Sequence, residues 1–360
     1  MIFLEIGGKK YEGFTEINVG KSIETISGSF GFSAVCEAPV VFPFKVGQKA
    51  RVLIDNTPII TGYIDSTLIS YTGNTRTISI TGRDKTADLI DSSLKGNIEF
   101  NTGVSLKQVI EKVLANLGIT DIKVFDNAGT EKFKKTDLIS GSPEDNAFGF
   151  IEKYCRLRQV LITADADGNI VLTRGGKEIM QASLISEKNN PQNNILSASI
   201  SYTNSNRFYS ISVLAQGNPS VAESVLGVVS LEGNATDGEI RNGRNLTIRA
   251  EHSSDNQTNK NRAIWEVNFR RAKSIEYSLA VKNWVAPTGE VWLPNKLVKV
   301  RDTISDINAF MLISSCRYIL NANEGQKTEI TLCSKDAFDL EAQQKQADAR
   351  ANALGKNLIA

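Results

Sequence analysis

The stretch RVLIDNTPIITGYIDSTLISYTGNTRTISIT, residues 51–81, decides the fold class. Arg51 to Ile54 and Ile59 to Ile64 are short β-rich runs, and Asp55-Asn56-Thr57-Pro58 between them supplies turn chemistry. Thr67 to Tyr71 and Arg76 to Thr81 form a second hairpin around Thr72-Gly73-Asn74, with Ile78 and Ile80 alternating as a half-buried strand requires. Two hairpins in succession predict an all-β barrel or sandwich, which we extend over residues 1–95. Gly82-Arg83-Asp84-Lys85-Thr86 then leads into a short helical turn, Ala87 to Ile90.

Downstream, over residues 96–185, the period changes. Ser105-Leu106-Lys107-Gln108 is a capping-box pattern opening a helix whose apolar stripe is Leu106, Val109, Ile110, Val113, Leu114 and Leu117, with Gly118 as its stop. Ser142-Pro143-Glu144-Asp145 predicts a second helix start, with Phe148, Ile151, Tyr154 and Cys155 on one side. Gln159 to Thr163 and Ile170 to Thr173 predict a hairpin around Asp165-Ala166-Asp167-Gly168-Asn169. This is a small α+β domain.

A linker, Asn189 to Asn194, precedes a second β domain over residues 186–338. Its first strand places Leu196, Ala198, Ile200 and Tyr202 on one face, and Phe208 to Leu214 is the next. Residues 217–283 form a loop-rich insertion holding a helix from about Lys260 to Ala272, and strands resume at Ile275, Leu297, Ala309 and Thr328. Residues 339–360 predict a helix or tail. The fold class is therefore mainly β, with a small α+β domain between two β domains.

The 360 residues carry 41 basic and 40 acidic side chains, a net charge of +1, whereas a dedicated nucleic-acid binder is strongly basic. Glu5 interrupts the apolar start, so no secretory signal is expected, and no apolar run is long enough to span a membrane. Cys36, Cys155, Cys316 and Cys333 are scattered and predict buried free thiols.

Catalytic patterns are missing. The single histidine, His252, sits in a polar stretch, and there is no G-x-S-x-G, Walker loop or G-x-G-x-x-G. Asp165-Ala166-Asp167-Gly168-Asn169 has its glycine fourth rather than sixth, and Gly176 stands where a calcium loop needs glutamate. A hairpin turn is the expected reading. No catalytic, cofactor-binding or metal-ligating residue is predicted.

The chain resembles the Mu-type contractile-tail phage baseplate hub proteins, the spike-hub family. In the first β domain the resemblance lies in Phe44-Lys45-Val46-Gly47-Gln48, in Pro58 to Asp65, and in Gly82 to Asp91. Ala147-Phe148-Gly149-Phe150-Ile151 and the Gly168 hairpin carry it through the α+β domain. Asn206-Arg207-Phe208, Trp292-Leu293-Pro294-Asn295, Val298 to Asp302 and the Thr331-Leu332 strand carry it to the end of the second.

The resemblance implies two related barrel-like tube domains per chain and a homotrimer that mimics a six-fold ring. One face of the ring would meet the hexameric tail tube and the other the trimeric spike. Baseplate wedge and tape-measure proteins are further implied partners, and DNA is a transient cargo. It also implies a place in the virion tail after assembly in the host cytoplasm. Two competing readings are the hub of a prophage-derived injection particle and a tail-associated cell-wall hydrolase. Within the predicted insertion helix, Arg262, Arg270 and Arg271 are candidates either for the lumen or for ion pairs at the surface or between subunits, the latter favoured because charge runs are usually solvated. Trp292, Pro294 and Asn295 are expected to be structural, with the indole N–H finding a partner.

Overall fold

The computed structural model describes residues 1–36, 43–73, 75–100, 103–134, 137, 139–216, 230–250 and 255–335. The predicted C-terminal helix and His252 lie outside them. The first β region contains β1 (Ile2–Ile6), β2 (Lys9–Tyr11), β3 (Glu16–Ser22), β4 (Ser29–Cys36), β5 (Lys49–Ile54), β6 (Thr57–Tyr71) and β7 (Arg76–Asp84). The α+β domain follows with α1 (Ala87–Ile90), β8 (Ile98–Glu99), α2 (Leu106–Leu117), β9 (Val124–Asp126), β10 (Ser140–Gly141), α3 (Ala147–Leu157), β11 (Leu161–Ala164) and β12 (Ile170–Thr173). The rest comprises β13 (Ile179–Ser186), β14 (Ile195–Tyr202), β15 (Ser210–Gln216), β16 (Ser230–Thr236), β17 (Asn245–Arg249), α4 (Asn256–Ala272), β18 (Ile275–Lys282), β19 (Leu297–Asp302), β20 (Ile307–Asn321) and β21 (Gly325–Ser334).

Period-two burial builds the strands: Ile2, Leu4 and Ile6 point inward from β1, and Val298, Val300 and Asp302 from β19. The two β regions share one sheet. One half runs β1-β5-β6-β7-β4-β3, the other β13-β19-β20-β21-β18-β14, and β3 pairs with β20 at the seam. The strand order of the halves is the same, and every ladder is antiparallel except β13–β19. Among the described residues neither half closes into a barrel, since β14 and β2 end the strand order.

The duplication extends to detail. Both long strands, β6 and β20, carry a register shift near their middle, at Ile64/Ser66 and Ile313/Ser315, and both give the portion before it to the preceding short strand. The residue two before each short strand is left-handed: Gly47 at φ 82° and Asn295 at φ 67°. Each donates its N–H to the equivalent carbonyl, Ile64 and Ile313, and those isoleucines donate back to Gln48 and Lys296. One packed core, including Phe30, Ile60, Tyr277, Trp292 and Tyr318, runs through both halves.

The predicted break between Ile64 and Thr67 is instead a bulge, which bends β6 while keeping it paired with β7. Helix α2 begins at the predicted Ser105 capping box and ends at left-handed Gly118. Helix α3 begins later than predicted: Asn146 is its N-cap, and Ser142 to Asp145 form a turn closed by the Asp145 carboxylate. The sheet also reaches back before residue 186, because β13 pairs with β19. The expected insertion loses β18 to the main sheet and gains β15, which pairs with β16 and β17 under α4. Gly233 allows that close packing, since a Cβ there would lie 2.1 Å from the Lys260 nitrogen.

Candidate functional site

Near the seam, the surface of the sheet opposite its core carries mainly small and polar residues. At the seam, Asn18, Gly20, Ser29 and Gly31 of the first half meet Ser315 and Arg317 of the second around an open groove. Ser197, Ser199 and Ser201 continue this face on β14, where all three are exposed. Two of its cations have side-chain partners: Arg317 donates to Asn18 Oδ1 at 2.8 Å, and Arg83 bridges Asp65 at 2.7 Å and Asp91 at 2.6 Å.

The α+β domain docks beside this face through buried polar contacts. Lys21 donates to the Ala164 and Asp165 carbonyls of the β11–β12 turn and to Ile59 O of β6. Burial lowers the Lys21 pKa against the opposing pull of Asp84 and Asp165. Thr61 donates to Ala166 O at 2.8 Å. Buried Asp84 accepts from Gly28 N, Thr86 N and the Thr86 hydroxyl, and its pKa rises because burial outweighs these bonds. The segment Gly82 to Asp91 is thus a structural joint. The Asp165–Asn169 turn ties itself: Asp165 accepts from the backbone of Asp167 and Asn169 and from the Asn169 amide.

The three candidate arginines lie on α4, in the inserted unit. Arg262 and Arg270 hold the same buried carboxylate, Glu266, at 2.5 and 3.2 Å. Arg271 pairs with Glu239, which also receives Arg207, itself on Asp237 at 2.7 Å. Phe208 lies between the Arg244 and Arg270 guanidiniums, with their carbons 5.6 and 5.4 Å from its ring centre. The structure brings these arginines to carboxylates of their own chain. A lumen role would leave Arg270 and Arg271 with no carboxylate in reach, and that condition is not met. Glu266 is the member sequence reasoning missed, because a carboxylate in a polar helix reads as solvated.

Trp292 is 1% exposed, and Tyr318 donates to its carbonyl. Its indole N–H has no hydrogen-bond partner among the described residues, contrary to expectation. Asn295 accepts from Gly176 N at 2.7 Å and so pins the end of the α+β domain. Cys155, Cys316 and Cys333 are free and buried, and burial raises their thiol pKa values, that of Cys333 to about 12. Among the described residues no group of three or more His, Cys, Asp or Glu is placed to hold a metal, and no helix is long and apolar enough to cross a membrane.

Family models match three segments: Mu phage baseplate assembly protein GpP-like, N-terminal, over residues 1–84; baseplate hub protein gp44-like, second domain, over 86–174; and Mu phage baseplate assembly protein GpP, fourth domain, over 255–341. The baseplate hub protein gp44 of Escherichia phage Mu is 27% identical over 344 residues, covering 94% of this chain and 88% of that protein. The 43 kDa tail protein of prophage MuSo2 from Shewanella oneidensis superposes with a TM-score of 0.78 at 31% identity, over 94% of this chain and 99% of the other. A tail protein from Neisseria meningitidis MC58 shares the fold, with a TM-score of 0.80 at 20% identity over 95% and 98% of the two chains. The joined β halves, the docked α+β domain and these relatives together make this chain a member of the Mu-type phage baseplate hub protein family.

Proposed function

We propose that this chain is a structural, non-enzymatic hub of a contractile phage tail. Three copies form a ring in the virion baseplate that joins the hexameric tail tube to the trimeric central spike and surrounds the DNA channel. The observation that carries this reading is the duplicated half-sheet: one chain offers two near-equivalent units side by side, so a three-fold object presents six similar surfaces. The Ser-rich face, whose Arg83 is held by two carboxylates, fits a channel wall, because unpaired cations there would retain phosphate. Wedge and tape-measure proteins would meet the outer elements. Light scattering on the purified chain tests the reading. A particle of three times 39.3 kDa is expected. A strictly monomeric mass at micromolar concentration and above would overturn it.

A further inference from the structure

The seam between the halves has a partner inside the chain, whereas its topological twin has none. Beyond its bulge, β20 pairs on one side with β21 and on the other, from Ser315 to Leu320, with β3. Beyond its own bulge, β6 pairs with β7 from Ser66 to Tyr71, but β5 ends opposite Tyr63, so its other side has no strand among the described residues. At the far end of the sheet, β14 pairs only with β18 among the described residues. Strand β14 holds in the second half the position that β3 holds in the first.

Exposure follows this pattern. Tyr318 and Val19 face each other across the seam and are both 0% exposed. Ile69 stands where Tyr318 stands and is 51% exposed, and Tyr202 on β14 is 65% exposed. Free sheet edges are normally blunted with charge. Yet β14, ILSASISY, carries no charged residue, and β6 from Ser66 to Tyr71 carries none either.

We propose that the free side of β6 receives β14 of a second copy of this chain, in an antiparallel ladder that repeats the β3–β20 seam. The register follows from rows taken straight across each half. In the first half Asn18, Gly31, Thr81 and Ser66 form one row, and in the second Ser199, Ser278, Thr331 and Ser315 form its equivalent. Because Tyr318 faces Val19, the same offsets set Ile69 opposite Ile200 and Ser70 opposite Ser199. Ile69 then meets Ile200 on the core side, while Ser70 meets Ser199 and Leu68 meets Ser201 on the other, which fits a second copy. Such a head-to-tail contact closes into a ring when every step is the same rotation. The proposal rests on the hub reading only for the number of copies.

Variants each carrying one added cysteine, made in a Cys36→Ser background that keeps the buried Cys155, Cys316 and Cys333, test it on the full chain. An equal mixture of Ser70→Cys and Ser199→Cys proteins, or of Ile69→Cys and Ile200→Cys, should form disulfide-linked dimers on mild oxidation, since one face of the ladder suits a disulfide. A mixture of Ser70→Cys and Ser197→Cys should form about tenfold less, because diagonal Cβ atoms lie about 7–8 Å apart, beyond disulfide reach. Ile69→Lys should give a folded monomer, with wild-type circular dichroism and one third of the native mass. A native trimer in which neither in-register mixture cross-links, or one that Ile69→Lys leaves intact, overturns the pairing but leaves the hub standing. A wild-type chain that is always monomeric overturns both.

Discussion

The halves of the sheet use the same frame with different fillings. Counting along the matched ladders, Ile54 ends β5 where Asp302 ends β19, and Phe30 on β4 stands where Tyr277 stands on β18. The first half buries a hydrocarbon pair, and the second buries a hydroxyl and a carboxylate bonded at 2.5 Å. The hairpin connections differ more. Residues 23–28 join β3 to β4, whereas residues 203–274 join β14 to β18 and hold β15, β16, β17 and α4. Backbone pairing thus fixes the frame, while inward positions accept any chemistry that satisfies itself and the loop ends accept whole subunits of structure.

Matched positions before the short strands offer the sharpest contrast. Phe44 and Trp292 each stand five residues ahead, but Phe44 is only partly buried, edge-on to Tyr11 at 4.7 Å, while Trp292 is enclosed. Trp292→Ala should lower stability by about 3–5 kcal/mol, read as a fall in denaturant midpoint at unchanged slope. Phe44→Ala should lose less than half as much. Equal losses would show that the halves are filled alike after all.

Local periodicity made the hairpins, α2 and the turn at Gly168 legible in the sequence, because a strand or helix writes its buried face at a fixed spacing. The seam was not legible. Ile17 to Ser22 pairs with residues nearly a chain length away, and nothing local in either segment names the other. The bulge at Ser66 looked like a strand end, since a bulge breaks alternation as a turn does. The even spacing of Leu196, Ala198, Ile200 and Tyr202 sets them on one face, but spacing alone does not say what covers it, and the structure leaves Leu196, Ala198 and Tyr202 exposed.

The inserted unit should be separable from the frame. Glu266→Ala removes the buried carboxylate that two guanidiniums share and should cost about 2–3 kcal/mol. Hydrogen exchange should quicken in α4 and β15 while β20 and β21 keep their protection. Equal acceleration throughout would mean that insertion and frame unfold as one unit.

Tyr277→Phe places the first half's residue in the second half. Burial pushes Asp302 upward, but the Tyr277 hydroxyl, Ser305 and the Ile304 N–H outweigh it and hold its pKa below the usual 3.8. A depressed carboxylate pKa contributes stability above the unfolded value, and that contribution is lost as pH falls through the folded value. The variant should therefore cost about 1.5 kcal/mol at neutral pH. The gap from wild type should narrow below about pH 4 as Asp302 takes up its proton. A gap that stays constant down to strong acid would trace the loss to packing instead.

The smallest effects lie where the two insertions touch. Lys134 of the α+β domain pairs with Asp255, the lysine exposed and the aspartate half-buried. Asp255 is also the N-cap of α4, accepting from Thr258 N at 2.7 Å. Two substitutions divide these roles. Lys134→Ala removes only the ion pair, and an exposed pair contributes about 0.5 kcal/mol or less. Asp255→Ala removes the cap as well and should cost about 1 kcal/mol. Added salt should shrink the first difference and leave most of the second, because screening acts on the ion pair far more than on the short cap bond. If Lys134→Ala costs as much as Asp255→Ala, the two insertions are coupled through this contact, and the separability expected of α4 fails with it.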